Sequence, residues 1–390
     1  MAEYGIRWFW QRGMSLVRWT MLAQSEVAPY LLQRQFISAL SIVQGDLTVV
    51  DVSRRNRNFK VISEQGPCYL LKQGVGAEGI ATIAHEAAIY QWLQSIPESK
   101  ELRGYLPHYY GYDPQEHLLI LEFLRGAQDC REYHTRRGHF STTLATNLGK
   151  ALSSLHRMTR VAAVREDKLG FSAQPPWALF LHRPSLGAFQ TISNANLQLI
   201  RIIQYASEFR QVLDELRQGW KADTFIHFDL KWENCLVCGP SKSGRKSGLK
   251  IIDWEFAGFG DPCWDTGAVF SNYLSFWLSS IPITGEEPPD RFLELARYPL
   301  ERIQPAMRAY WQAYVRGMGL EAVTADAWLL RAVQYGAARL LQTGFEHMQG
   351  STYLTGNLIC LLQLSLNILQ RPQEAIAHLL GMPLRQVRML

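Results

Sequence analysis

The residues best equipped for chemistry lie between Phe225 and Asp253, where FIHFDLKWENCLV is followed by a polar interlude and then LKIIDW. His227, Asp229, Lys231 and Asn234 fall within eight residues, and Asp253 closes the second apolar run. Each type has a use in phosphoryl transfer: a carboxylate for the proton of an attacking hydroxyl, oxygen ligands for Mg²⁺, and a cation for the migrating phosphate. To position them the chain needs a loop at 227–234 and strands that bring Asp253 back to it. CLVC and LKIID read as the two arms of a hairpin, with GPSKSGRKSG as its tip.

HFDLKWEN fits every fixed position of the HxDLxxxN catalytic loop, and the metal-type aspartate is followed by IDWE and GDPCWD segments. On these residues the chain resembles the aminoglycoside phosphotransferase and choline kinase branch of the protein-kinase-like superfamily. The resemblance implies an α+β, two-lobed fold with a small antiparallel-sheet N-lobe and a larger, mainly helical C-lobe. The expected division is an N-terminal helical extension over 1–46, an N-lobe over 47–126 and a C-lobe over 127–390. It implies an ATP-dependent kinase with an alcohol acceptor and with ATP and Mg²⁺ as cofactors. Asp229 would orient the hydroxyl and take its proton, Lys231 would lie near the γ-phosphate, and Asn234 and Asp253 would hold the metal. His227 and Asp265 would brace the loop.

Upstream, LTVVDVS, NFKVIS and CYLLKQG read as three strands, the third carrying Lys72. A helix is expected from near Ile80, where AHEAAIYQWL puts Ala84, Ala87, Ala88 and Trp92 on one face with Glu86 beside it. By resemblance, Lys72 would contact the ATP phosphates and Glu86 would hold that lysine. The turn SRRNRN has no glycine where protein kinases use a glycine-rich loop. Asn56 matches the asparagine of a GG-x-x-N turn found in small-molecule kinases, and Arg54 and Arg55 are either phosphate contacts or solvated charges. The run HLLILEFLRG is expected to form the last N-lobe strand and a hinge that reads adenine through the backbone near Glu122, Phe123 and Leu124. Two glycine motifs are set aside. GVGAEG satisfies GxGxxG but follows the lysine strand and lacks a βαβ unit, and in GPSKSGRKSG Arg245 separates the glycine from the lysine that a P-loop requires.

Beyond the hinge, STTLATNLGKALSSLHRM places Leu144, Leu148, Leu152 and Leu155 on one helical face. ANLQLIRIIQYASEFRQVLDELRQGW reads as a helical insertion, which in the resembled family helps build the acceptor pocket. No APE-type activation segment follows Asp253.

Apolar content of 47% with 19% charged residues is that of a globular protein. A dispersed formal charge of +5 suits an anionic ligand such as ATP and does not suffice for nucleic-acid binding. The six cysteines read as reduced thiols, and Cys235 and Cys238 as strand residues rather than zinc ligands. LICLLQLSLNILQ is too short and too broken for a membrane span, the N-terminus shows no leader pattern, and a cytoplasmic location is expected. Residues Ile6 to Leu22 read as a basic amphipathic helix that packs on its own domain or docks on a membrane surface. From Phe270 onward the chain has arginines but no lysines and no acidic excess, which counts against a polycationic acceptor.

The first expectation for the acceptor is therefore a hydroxyl on a small molecule. The alternatives are a Ser or Thr of a peptide, as in lanthipeptide-type precursor maturation with a downstream lyase, and a nucleotide-binding pseudokinase or interaction module.

Overall fold

The computed structural model describes residues 21–160, 171, 173–184, 192–239, 248–282 and 294–382. The expected basic helix, apart from Met21 and Leu22, and the hairpin tip at 240–247 lie outside the described residues. The chain divides into two compact units: residues 21–129 with Asn234–Ala257, and Cys130–Glu233 with residues 258–382.

The sheet unit begins with two short helices, α1 (Val27–Gln33) and α2 (Ala39–Val43). Five antiparallel strands follow, β1 (Leu47–Asp51), β2 (Arg57–Ser63), β3 (Tyr69–Gln73), β4 (Tyr109–Asp113) and β5 (Leu118–Glu122), ordered β1-β2-β3-β5-β4. The period of two sorts their side chains. Phe59, Val61, Tyr69, Leu71, Leu118 and Ile120 cluster with Val27 and Leu31 of α1, while Lys72, between Leu71 and Gln73, points to the other face.

Helix α3 (Gly76–Ser95) buries Ile83, Glu86, Ala87 and Tyr90, and α4 (Lys100–Arg103) follows it. Helix α3 starts four residues before the expected Ile80, so part of GVGAEG is helical. Its extended N-cap, Val75, donates its N–H to the Asn56 side chain at 3.3 Å, which gives one orphan amide of the helix start a partner. A two-residue strand, β6 (Gln128–Asp129), closes this stretch.

The helical unit takes up the chain with α5 (Cys130–Arg137) and α6 (Thr142–Thr159). Ser141 caps α6 by accepting from Leu144 N at 3.2 Å, and Leu148, Leu152 and Leu155 are buried as their spacing predicts. The insertion forms two helices, α7 (Asn194–Tyr205) and α8 (Ser207–Gln218), broken at the extended Ala206. Strand β7 (Thr224–Ile226) leads into the HFDLKWEN loop.

The chain then returns to the sheet unit, where β8 (Cys235–Cys238) pairs with β6 and with β9 (Gly248–Ile251). Back in the helical unit, β10 (Gly258–Gly260) pairs with β7. Helix α9 (Pro262–Ser279) is capped by Asp261, which accepts from Cys263 N at 3.0 Å. Helices α10 (Leu300–Met318), α11 (Ala322–His347), α12 (Gly356–Gln370) and α13 (Pro372–His378) complete the unit.

Helices α9 and α11 meet backbone to backbone. A Cβ on Gly267 would stand 2.6 Å from Gly336 N, so a side chain at 267 would force the helices apart. Helix α12 contains the apolar C-terminal run, and among the described residues no helix is long and apolar enough to cross a membrane.

Candidate active site

In the helical unit the HFDLKWEN loop turns on Phe228, whose φ of +67° is left-handed. That conformation costs a non-glycine residue about 1–2 kcal/mol, so its surroundings must hold it. Asp265, fully buried in the first turn of α9, accepts from His227 N at 2.7 Å and from Phe228 N at 3.0 Å. The neighbouring Trp264 indole donates to Phe228 O at 2.9 Å, and Asn272 Nδ2 donates to Leu230 O at 3.1 Å. Asp265 is backed by His156 Nε2 at 3.4 Å, and the other ring nitrogen of His156 lies 2.8 Å from the Tyr314 hydroxyl. Trp232, 1% exposed, packs on His134, Tyr273 and Phe276.

This frame presents Asp229 between two cations. Lys231 Nζ is 2.8 Å from Asp229 Oδ2, and Arg339 Nη2 of α11 is 3.4 Å from Oδ1. Burial pushes the Asp229 carboxyl up, but the Arg339 and Lys231 charges outweigh it, and its pKa lies below the ordinary carboxylate value.

In the sheet unit, Lys72 Nζ lies 3.0 and 2.9 Å from the two oxygens of Glu86 and 3.1 Å from Asp253 Oδ1. Glu86 is fully buried and also accepts from Trp254 N at 3.3 Å, so one carboxylate fixes both the lysine and the backbone just after Asp253. Burial alone would lower the Lys72 pKa, but Glu86 and Asp253 more than reverse this and hold it above its usual value. Asp253 is left-handed, with φ +66°, and its side chain keeps 34% exposure. Ile252 N donates to Asn234 O at 3.0 Å, which brings the backbone of Asn234 alongside the residue preceding Asp253.

The remaining expected residues are placed as follows. Asn56 is buried, with its side-chain oxygen on Val75 N. Glu122 N donates to His108 O at 2.8 Å and Phe123 N to Cys68 O at 2.9 Å, so both amides are engaged within the unit, whereas Leu124 O accepts from Ala127 N at 3.1 Å. Arg55 pairs with Glu255 at 3.0 Å, and Arg54 is exposed. Burial and the nearby Asp253 charge raise the Glu255 pKa against the pull of Arg55.

The structure thus brings Lys72, Glu86 and Asp253 into contact in one unit, and Asp229 and Lys231 in the other. Among the described residues no group of three or more His, Cys, Asp or Glu side chains is arranged to hold a metal ion. The carboxylate of Asp253 and the carboxamide of Asn234 are hard oxygen donors, the chemistry that Mg²⁺ selects.

The model of the phosphotransferase enzyme family matches residues 46–312, and the chain belongs to that family. Its fold is α+β, with the five-stranded antiparallel sheet in one unit and a mainly helical second unit. Solved structures similar to it include a choline/ethanolamine kinase family protein from Mesorhizobium loti, at 18% identity and a TM-score of 0.47, covering 90% of this chain and 95% of that one. Choline kinase LicA from Streptococcus pneumoniae is 15% identical with a TM-score of 0.43, covering 87% and 99% of the two chains. An amicoumacin kinase in complex with AMP-PNP and Ca²⁺ is 13% identical with a TM-score of 0.49, covering 87% and 95%. No curated protein matches the chain.

Three features of these clusters were not foreseen from the sequence: Arg339 on Asp229, Arg55 on Glu255, and Arg331 on the helix cap Asp261. A signal for two of them existed. Arg331, Tyr335 and Arg339 recur every four residues in the largely apolar stretch LLRAVQYGAARLL, a polar stripe that a helix buries only when each member has a partner.

Proposed function

We propose that this family member is an ATP- and Mg²⁺-dependent phosphotransferase that moves the γ-phosphate to a hydroxyl of a small-molecule acceptor. The observation that supports this most directly is the contact set of Lys72, Glu86 and Asp253, a buried carboxylate holding a lysine against a second, partly exposed carboxylate. Isolated buried charges are costly, and this arrangement keeps a cation fixed where an anionic phosphate would be bound.

In this proposal Lys72 contacts the phosphates and Glu86 holds it extended. Asn234 and Asp253 would hold Mg²⁺, which would supply charge neutralisation for the phosphates. Backbone groups of the stretch Glu122, Phe123 and Leu124 read the adenine, the Glu122 and Phe123 amides themselves being already engaged. Asn56 sets the nearby start of α3. The acceptor oxygen forms its bond to the γ-phosphorus as the bridging bond of ATP breaks. ADP leaves, Asp229 takes the hydroxyl proton, and Lys231 neutralises charge near the γ-phosphate. A carboxylate with a lowered pKa suffices, because in a loose transition state the proton moves late and positioning carries most of the rate. The six free thiols fit a reducing compartment such as the cytoplasm.

The test is a thermal shift with MgATP, followed by transfer of labelled γ-phosphate to a pool of small alcohols and, separately, to a peptide pool. MgATP at about 100 times its Kd should stabilise the chain by about 2.7 kcal/mol, label should appear in the alcohol pool, and Asp229→Asn should abolish transfer while keeping the shift. Label only in peptides would move the acceptor class. A MgATP shift with no transfer to either pool would instead make the chain a pseudokinase.

A further inference from the structure

We propose that Arg339 is the positioning residue of Asp229, delivered by a helix that lies beyond the stretch matched by the family model. The proposal rests on Asp229 being the base of the reaction above. The match ends at residue 312, and α11 spans Ala322–His347.

Arg339 is 4% exposed, far less than a cation tolerates without partners. Its partners are the turn that presents Asp229 and the indole that braces that turn. Nη2 approaches Asp229 Oδ1 at 3.4 Å, Nη1 approaches Phe228 O at 3.5 Å, and the guanidinium carbon lies 5.6 Å from the centroid of the Trp264 ring, whose own indole N–H holds Phe228 O. One planar group therefore touches the carboxylate, the left-handed residue before it, and the side chain bracing that residue. A lysine cannot satisfy these directions together.

The helix that carries Arg339 is itself fastened to the base of the same turn. One turn back, the Tyr335 hydroxyl lies 3.3 Å from Leu216 O and 3.4 Å from Asp261 Oδ2, and two turns back Arg331 pairs with Asp261, the cap of α9. Helix α9 also carries Trp264 and Asp265, so α11 grips the loop directly through Arg339 and indirectly through the helix beneath it. The close approach at Gly267 and Gly336 lets these side chains reach. Lys231, on the far oxygen of Asp229, is half-buried on a long stem of the loop itself and supplies charge without a fixed direction.

The test compares wild type with R339A, R339Q, R339K, D229N and D229N/R339A, by thermal unfolding and by steady-state MgATP turnover with the small-alcohol pool. R339A and R339Q should lower kcat by about 10- to 100-fold with the KM for ATP within about twofold, and R339K should recover part of the loss. In unfolding, D229N should rescue R339A, because it removes the carboxylate left buried beside the missing cation. R339Q with wild-type kcat, or stability effects of D229N and R339A that simply add, would overturn the proposal, and the R339Q reading stands even if R339A does not fold. A wild type inert toward MgATP would overturn the phosphotransfer reading instead.

Discussion

At the scale of single residues, the loop is held by backbone contacts that its motif letters do not announce. HFDLKWEN and the later aspartates name which side chains matter, but a left-handed phenylalanine at 228 is invisible in a sequence, since glycine is the usual sign of that conformation. Asp265 offsets the strain by accepting two amides. Asp265→Ala should therefore cost about 2–5 kcal/mol, the cost of two buried amides without acceptors, and should lower turnover as well. Chemical denaturation of the variant measures the first and MgATP turnover the second. Asp265→Asn, which keeps one acceptor oxygen, should fall between. Lys72 and Glu86 were legible because a strand lysine followed by a helix glutamate is a local pattern. Arg339 was not, because its partner lies 110 positions away.

At the scale of elements, strands announced themselves better than helix ends. The three runs read as strands became β1, β2 and β3, since alternation is enforced by burying one face. Helix α3 starts at Gly76 rather than near Ile80, a start the sequence hides because its glycines resemble a loop and the partner of its cap, Asn56, lies in the turn before β2. Two predictions belong here. Gly267→Ala should destabilise by about 1–3 kcal/mol through overpacking, because its methyl would meet backbone that cannot yield, and unfolding of the variant checks it.

The second prediction concerns His134 of α5, which packs on Trp232 of the loop. Burial pushes its pKa down to about 4, against the hydrogen bond it makes to His139 O. The unfolded chain, with an ordinary value near 6.5, binds the proton first. Stability from keeping His134 neutral is thus complete above pH 6.5 and is lost as pH falls toward 4, by about 3 kcal/mol in all. Unfolding free energy measured from pH 7 to 4 should fall accordingly, and His134→Gln should flatten that slope.

At the scale of the whole chain, the family match marks less than what folds. Before residue 46, Val27 and Leu31 of α1 are fully buried on the sheet. Leu31→Ala should cost about 2–5 kcal/mol, readable in thermal unfolding, although a helix this short looks dispensable in sequence. After residue 312, α11 covers Gly267 and reaches Asp229. A chain trimmed to 46–312 should be less soluble and turn over less MgATP than the full chain, read by sedimentation and by the transfer assay.

The placement of Arg339 has a bearing on how relatives are compared. Two proteins identical from His227 to Asn234 would part company in turnover if one had exchanged this guanidinium for a neutral group a hundred positions downstream. A survey that scores only the recognition string would count the slow one and the fast one as alike, and a single codon in the last quarter of the gene would tell them apart.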